Sequence, residues 1–227
     1  MRQTLFWLSA LLLSSAAHAL SLDQLSNKDT ATGLKEALTQ GANQAVGSLG
    51  KADGFLGNPK VKIPLPGQLD KAAGLMRKLG MGAQVDELET AMNRAAEAAV
   101  PEARKLLVNS IQSMSVEDAK GILTGGDNAA TAYFRRTTSA PLTDKFKPIV
   151  QKAMAKVKLS ETYDRFAGKA ANFGALSQED RQLDGYVTRK ALDGLYLMIE
   201  EEEKAIRKDP VGAAGGMAKK VFGALGQ

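Results

Sequence analysis

Arg94, Arg135, Arg189, Asp193, Tyr196 and Glu200 are the residues whose types and spacing point to a polar binding site in this sequence. Arg189 and Asp193 stand four apart, as do Glu203 and Arg207, so on a helix each pair can meet along one face. Together with Tyr196 and Glu200 they form a narrow polar stripe. If solvent covers it, the stripe is a row of exposed ion pairs worth a few tenths of a kcal/mol each. If it borders a cleft, it presents guanidinium, carboxylate and phenol groups to a small ligand. Glu200 and Glu203 also share that face, and two carboxylates can divide acid and base roles where their surroundings separate their pKa values. The run of four glutamates before "KAIRK" reads equally well as a solvated helix with its charges spaced to neutralise one another.

Other chemistries are excluded by composition. Cysteine is absent, and the lone histidine, His18, and lone tryptophan, Trp7, lie in an amino-terminal stretch with the form of an export signal. Arg2 gives that stretch a positive start, "LFWLSALLL" an apolar core too short to span a bilayer, and "AHA" a small-residue cleavage site. Cleavage after Ala19 would leave a chain from Leu20 without His, Cys or Trp. That removes Ser-His and Cys-His nucleophile pairs, the usual zinc ligand sets and thiol redox chemistry. No cofactor is expected, and no stretch matches the calcium-loop pattern. The 30 basic residues against 25 acidic ones, interspersed, leave a net charge of +4 once Arg2 is gone, too mild for a nucleic-acid footprint. The expected compartment is the periplasm.

The stretch "GILTGGDNAATAYFRRTTSAPL", residues 121–142, raises the possibility of an anion grip at a helix start. It lacks the lysine and the spacing of a phosphate loop. Its glycines are expected to end one helix in a left-handed turn, with Asp127 or Asn128 capping the next. Arg135 and Arg136 then sit two turns beyond the helix start.

The elements that must position these residues are helices, because apolar residues recur at helical spacing almost throughout. Leu34 to Leu49 form one stripe, Leu69 to Leu79 a second, and Val85 to Leu106 a third, in which Pro101 either kinks the helix or opens a new one. Further helices are expected at about 139–158, 160–172, 184–208 and 210–223, with capping boxes at "SVED" and "SQED". The helix from Asp184 carries apolar residues over nearly half its circumference, which requires packing on more than one side. The third helix carries Asp86, Thr90, Asn93, Glu97 and Arg104 opposite its apolar face. The simpler reading of that stripe is a wet surface; covered by another element, it would be a buried polar network. One segment departs from the helical pattern. Between about 58 and 68, Pro64 and Pro66 forbid a helix, and Val61, Ile63 and Leu65 should lay an extended stretch on the bundle.

"MNRAAEAAVPEA" (92–103), "AATAYFRR" (129–136), "YVTRKALDGLY" (186–196) and "EEEKAIRKDP" (201–210) resemble, in the same order, a bacterial family catalogued only as a domain of unknown function. The resemblance implies an exported, all-helical, single-domain protein over residues 20–227 and assigns no catalytic or binding residue. Two functions are consistent with all of this. One is a non-enzymatic binding or scaffolding protein of the cell envelope, recognising a small apolar or amphipathic ligand or an envelope protein through a groove between helices. The other is a carboxylate-dependent hydrolase acting on an envelope component. The Gly-rich residues 210–227 could add a small basic amphipathic helix and peripheral membrane contact.

Overall fold

A computed structural model of the protein describes residues 27–80, 82–156 and 182–209, and every regular element among them is helical. The fold is all-α, as the periodicity predicts. The elements are α1 (Asn27–Leu49), α2 (Gly67–Lys78), α3 (Gly82–Ala99), α4 (Ala103–Gln112), α5 (Val116–Thr124), α6 (Ala129–Met154) and α7 (Leu183–Lys208). Pro101 neither kinks α3 nor directly opens α4. It sits in a 3-10 turn, Val100–Glu102, that joins the two. α6 starts just after Asn128, as the turn at 125–128 predicts, and continues unbroken through Pro141 and Pro148 into the helix expected at about 139–158. Each proline removes one helical hydrogen bond. The carbonyls so released, those of Thr137 and Asp144, belong to exposed residues, where water can take their place. The expected signal segment, the expected helices at 160–172 and 210–223, and the "SQED" box lie outside the described residues.

α7 is the central element. Its wide apolar face meets α1, α3 and α6, which explains why one helix needs so many buried side chains, among them Val187, Leu195, Tyr196 and Ile199. No described helix is long and apolar enough to cross a membrane. The "SVED" capping box forms as expected at α5: the Asp118 amide donates to Ser115 Oγ at 3.0 Å, and the Ser115 amide donates back to Asp118 Oδ2 at 3.2 Å. Hydrogen bonds from Ser115, helped by Arg136, hold the Asp118 carboxyl below its ordinary pKa.

Residues 50–66 run from the end of α1 to α2 without regular structure, and Val61, Ile63 and Leu65 are buried there as the alternation predicts. The polar stripe on α3 explains how this segment is held, and here the wet-surface reading is corrected. Asn93 and Glu97 are buried. The Asn93 side chain behaves as the partner strand the segment lacks. Its Oδ1 accepts from the Ile63 amide at 2.8 Å, and its Nδ2 donates to the Ile63 carbonyl at 3.0 Å. Glu97 Oε1 accepts from the amides of Phe55 and Leu56 at 3.0 and 3.1 Å. A non-helical backbone cannot be buried unless such groups are paired. Asp86 and Thr90 on the same stripe stay exposed, and Arg104, expected on that stripe, lies beyond the 3-10 turn on α4 and is exposed as well.

On the α7 side, the segment presses Phe55 against Gly194, where an added Cβ would lie 2.7 Å from Phe55 Cε1 and 3.2 Å from Val61 Cβ. Gly194→Ala is therefore expected to lower stability by about 1–3 kcal/mol through overpacking, although alanine is the better helix former. Gly47→Ala in α1 and Gly121→Ala in α5, where an added Cβ meets nothing within 4 Å, should instead raise it by about 0.4–1 kcal/mol. Urea denaturation of the three variants checks the opposite signs.

Candidate functional site

α6 and α7 run antiparallel, since Thr131 meets Glu203, Thr138 meets Tyr196, and Lys147 shares a cleft with Asp184. Along the facing side of α6, Arg135, Ser139, Thr143 and Lys147 recur every four residues and so line one edge of that cleft. α7 supplies the other edge, with Asp184, Thr188, Arg189, Leu192, Asp193 and Tyr196. The cleft encloses about 560 Å³, a size typical of small-molecule sites.

Four of the six residues singled out by sequence converge here: Arg135, Arg189, Asp193 and Tyr196. The Asp193 carboxylate lies between the two arginines, 3.7 Å from Arg135 Nη1 and 3.8 Å from Arg189 Nη1, close enough for ion pairing but too far for hydrogen bonds. The Arg135 guanidinium stacks over the Tyr196 ring at 4.6 Å, and Arg189 stands over Tyr186 at 5.6 Å. Tyr196 is buried, and its hydroxyl meets Thr138 Oγ1 at 2.9 Å and Ser139 Oγ at 3.2 Å, which fixes the ring under Arg135. Thr188, with 3% of its surface exposed, has a buried Oγ1 without a hydrogen-bond partner. A mid-helix threonine ordinarily returns its hydroxyl to the preceding turn, and neither sequence position nor spacing marks this one as different.

The other two residues are elsewhere. Arg94, on α3, donates to Glu97 Oε2 at 2.6 Å and Asp53 Oδ1 at 2.8 Å, and these bonds raise its pKa above the ordinary arginine value. It belongs to the clamp on residues 50–66, and it supports Asp53, whose φ of 64° is left-handed. Glu200 pairs with Lys204 at 2.5 Å on an outer edge of α7, and that partnership raises the Lys204 pKa. The next carboxyl but one, Glu202, is also pushed up, mainly by burial and secondarily by Glu201.

The turn between α5 and α6 does grip an anion, and the anion is Glu203. Its Oε1 accepts from the Ala130 amide, and its Oε2 from the amide and hydroxyl of Thr131, each at 2.9 Å. Arg207 joins the same carboxylate at 2.9 Å and donates to the Ile122 carbonyl at 2.8 Å. One i,i+4 pair on α7 thus neutralises the positive end of α6 and the negative end of α5. The pair was read as one of a row of exposed ion pairs. It is instead nearly inaccessible, with side-chain exposures of 15% for Arg207 and 4% for Glu203. Two expectations for the turn are corrected by the same geometry. Gly125 is extended, with φ −82° and ψ 176°, not left-handed, and the Asn128 side chain makes no capping bond. The helix amides reach Glu203 instead, so no local cap is required.

Residues 24–223 match a family described as proteins of unknown function, DUF4197. The chain belongs to that family. No curated protein and no solved structure matches the chain. The DUF4197 match spans α1 to α7, so both edges of the cleft lie within the matched residues.

Proposed function

We propose that this DUF4197 protein is an exported, non-enzymatic binding protein of the cell envelope, and that the α6/α7 cleft is its ligand site. The observation that carries this reading is the convergence of Arg135, Arg189, Asp193 and Tyr196 on one concavity, with a buried hydroxyl, that of Thr188, lacking a partner in its wall. A buried polar group without a hydrogen bond costs about 1–3 kcal/mol, and a guest offering an acceptor removes that penalty. The hydrolase alternative draws no support from its candidate pair. Glu203 is occupied by two amides, a hydroxyl and an arginine, and Glu200 is turned to Lys204. Export is supported by the form of residues 1–19 and by a family match that starts beyond the expected cleavage point.

Native mass spectrometry of the full-length gene product, purified from the envelope of its host, tests both parts. The expected spectrum shows a chain starting at Leu20 with a non-covalent adduct, and the adduct is lost from a Thr188→Val, Arg135→Gln double variant of unchanged helicity. A chain retaining Met1 in the cytosol would dispose of export. An empty wild-type protein, or an adduct indifferent to the double variant, would dispose of the cleft as its site.

A further inference from the structure

Building on the cleft as ligand site, we infer that it takes a small hydrophilic organic anion, a hydroxylated carboxylic acid, and that Asp193 occupies the anion's place when the cleft is empty. Among the described residues, three cations and two carboxylates line the cleft, and their arrangement decides the sign. Arg135 donates no hydrogen bond to any described residue. Its nearest carboxylate, Asp193, stands at 3.7 Å, beyond hydrogen-bond range, while stacking on Tyr196 fixes the plane of its guanidinium. A planar fork held in this way, with 47% of its surface open, is arranged for bidentate contact with an incoming carboxylate.

Asp193 is poised to yield. Its two ion pairs at 3.7 and 3.8 Å are long, and half-exposed pairs of this kind contribute little. A ligand carboxylate that approaches Arg135 to hydrogen-bond distance exchanges a loose pair for a tight one, and Asp193 keeps Arg189.

The body of the ligand is set by the rest of the lining. Among the described lining residues, Ser139, Thr143 and Thr188 carry hydroxyls and Leu192 is the one wholly aliphatic side chain. The Thr143 hydroxyl donates to the Ser139 carbonyl at 2.9 Å and Ser139 Oγ meets the Tyr196 hydroxyl at 3.2 Å, so both oxygens keep lone pairs that can accept from the hydroxyls of an acid held by Arg135. Thr188 is the specific element, because its hydroxyl is nine-tenths buried or more and unpartnered. Lys147, at the far end of the α6 row, extends the positive edge.

Titration of the full mature chain by calorimetry and amide NMR, with galacturonate, galactose and galactosamine as probes of one shape and three charges, tests the inference. Galacturonate is expected to bind at the cleft, and its neutral and cationic counterparts at least tenfold more weakly. Arg135→Gln should abolish galacturonate binding, and Thr188→Val should weaken it about tenfold. Asp193→Asn should tighten it about tenfold, since it removes the competing carboxylate. That gain is the outcome a merely structural Asp193 would not produce. Preference for galactosamine, weaker galacturonate binding by Asp193→Asn, or failure of all three probes would overturn the anion assignment. An envelope-derived adduct sensitive to Arg135→Gln would still leave the cleft reading standing, whereas its absence would remove both.

Discussion

Glu203→Ala is expected to destabilise the protein by about 3–5 kcal/mol, because it leaves the half-buried Arg207 without its carboxylate and strips the first turn of α6 of its acceptor. Ala130 and Thr131 lose the oxygens their amides reach at 2.9 Å, the Thr131 hydroxyl loses its partner, and Arg207 keeps only the Ile122 carbonyl. Glu203→Gln keeps the shape and one acceptor oxygen but turns an amide group toward donors, so about 1–3 kcal/mol should go. Urea denaturation at neutral pH, followed by circular dichroism, measures both. The two variants should shift the midpoint in that order with an unchanged slope. A loss below 1 kcal/mol for Glu203→Ala would mean that the α5–α6 turn finds other partners and that the long-range cap contributes little.

Asn93→Leu is the second large effect, expected at about 2–4 kcal/mol, since the Ile63 amide and carbonyl are both left without partners in the core. Leucine nearly conserves volume, so the loss reports hydrogen bonding and not a cavity. Asn93→Asp should be at least as damaging. It retains an acceptor for the Ile63 amide but sets a second oxygen against the carbonyls of Ile63 and Glu89, to which Nδ2 donates at 3.0 and 2.8 Å. Hydrogen exchange supplies a local readout. The Ile63 amide should lose protection by more than the global change predicts, while amides in the centre of α6 follow the global change only. Equal loss everywhere would contradict the view that Asn93 specifically clamps residues 50–66.

These two sites also show what a sequence of this kind discloses. The breadth of the apolar face on α7 was legible, because helical geometry alone says that such a face needs several neighbours. The extended segment was legible because Pro64 and Pro66 leave the chain no helical option. The α3 stripe was misread for a definite reason. Periodicity tells which residues share a face, but not what lies over that face, and Asn93 and Glu97 are covered by an irregular segment whose own periodicity is slight. The signal was present in another form. A buried proline-rich stretch cannot pair its own backbone, so polar side chains elsewhere must do so. Glu203 was harder. It meets amides about seventy residues away, and a helix start rich in Asp and Asn invites a local cap that the fold does not use. For the cleft, the polar stripe on α7 identified Arg189, Asp193 and Tyr196, and the paired arginines two turns into α6 identified Arg135. The same rule could not exclude Arg94 and Glu200, which differ only in where the helices turn them, and it gave no hint of Thr188.

The long cap and the clamp bear on function because they fix the two walls of the cleft. Glu203 ties the start of α6 to α7, and the pressed segment behind Gly194 sets the opposite face of α7. Between these anchors, the Arg135 and Asp193 side chains meet across a gap that the fold leaves open. The most direct test is a crystal structure of the chain purified from its own envelope. Density for a small acid within hydrogen-bond distance of Arg135, with Asp193 displaced from it, is the predicted result; a cleft holding only water, with Arg135 and Asp193 as they are here, would contradict it.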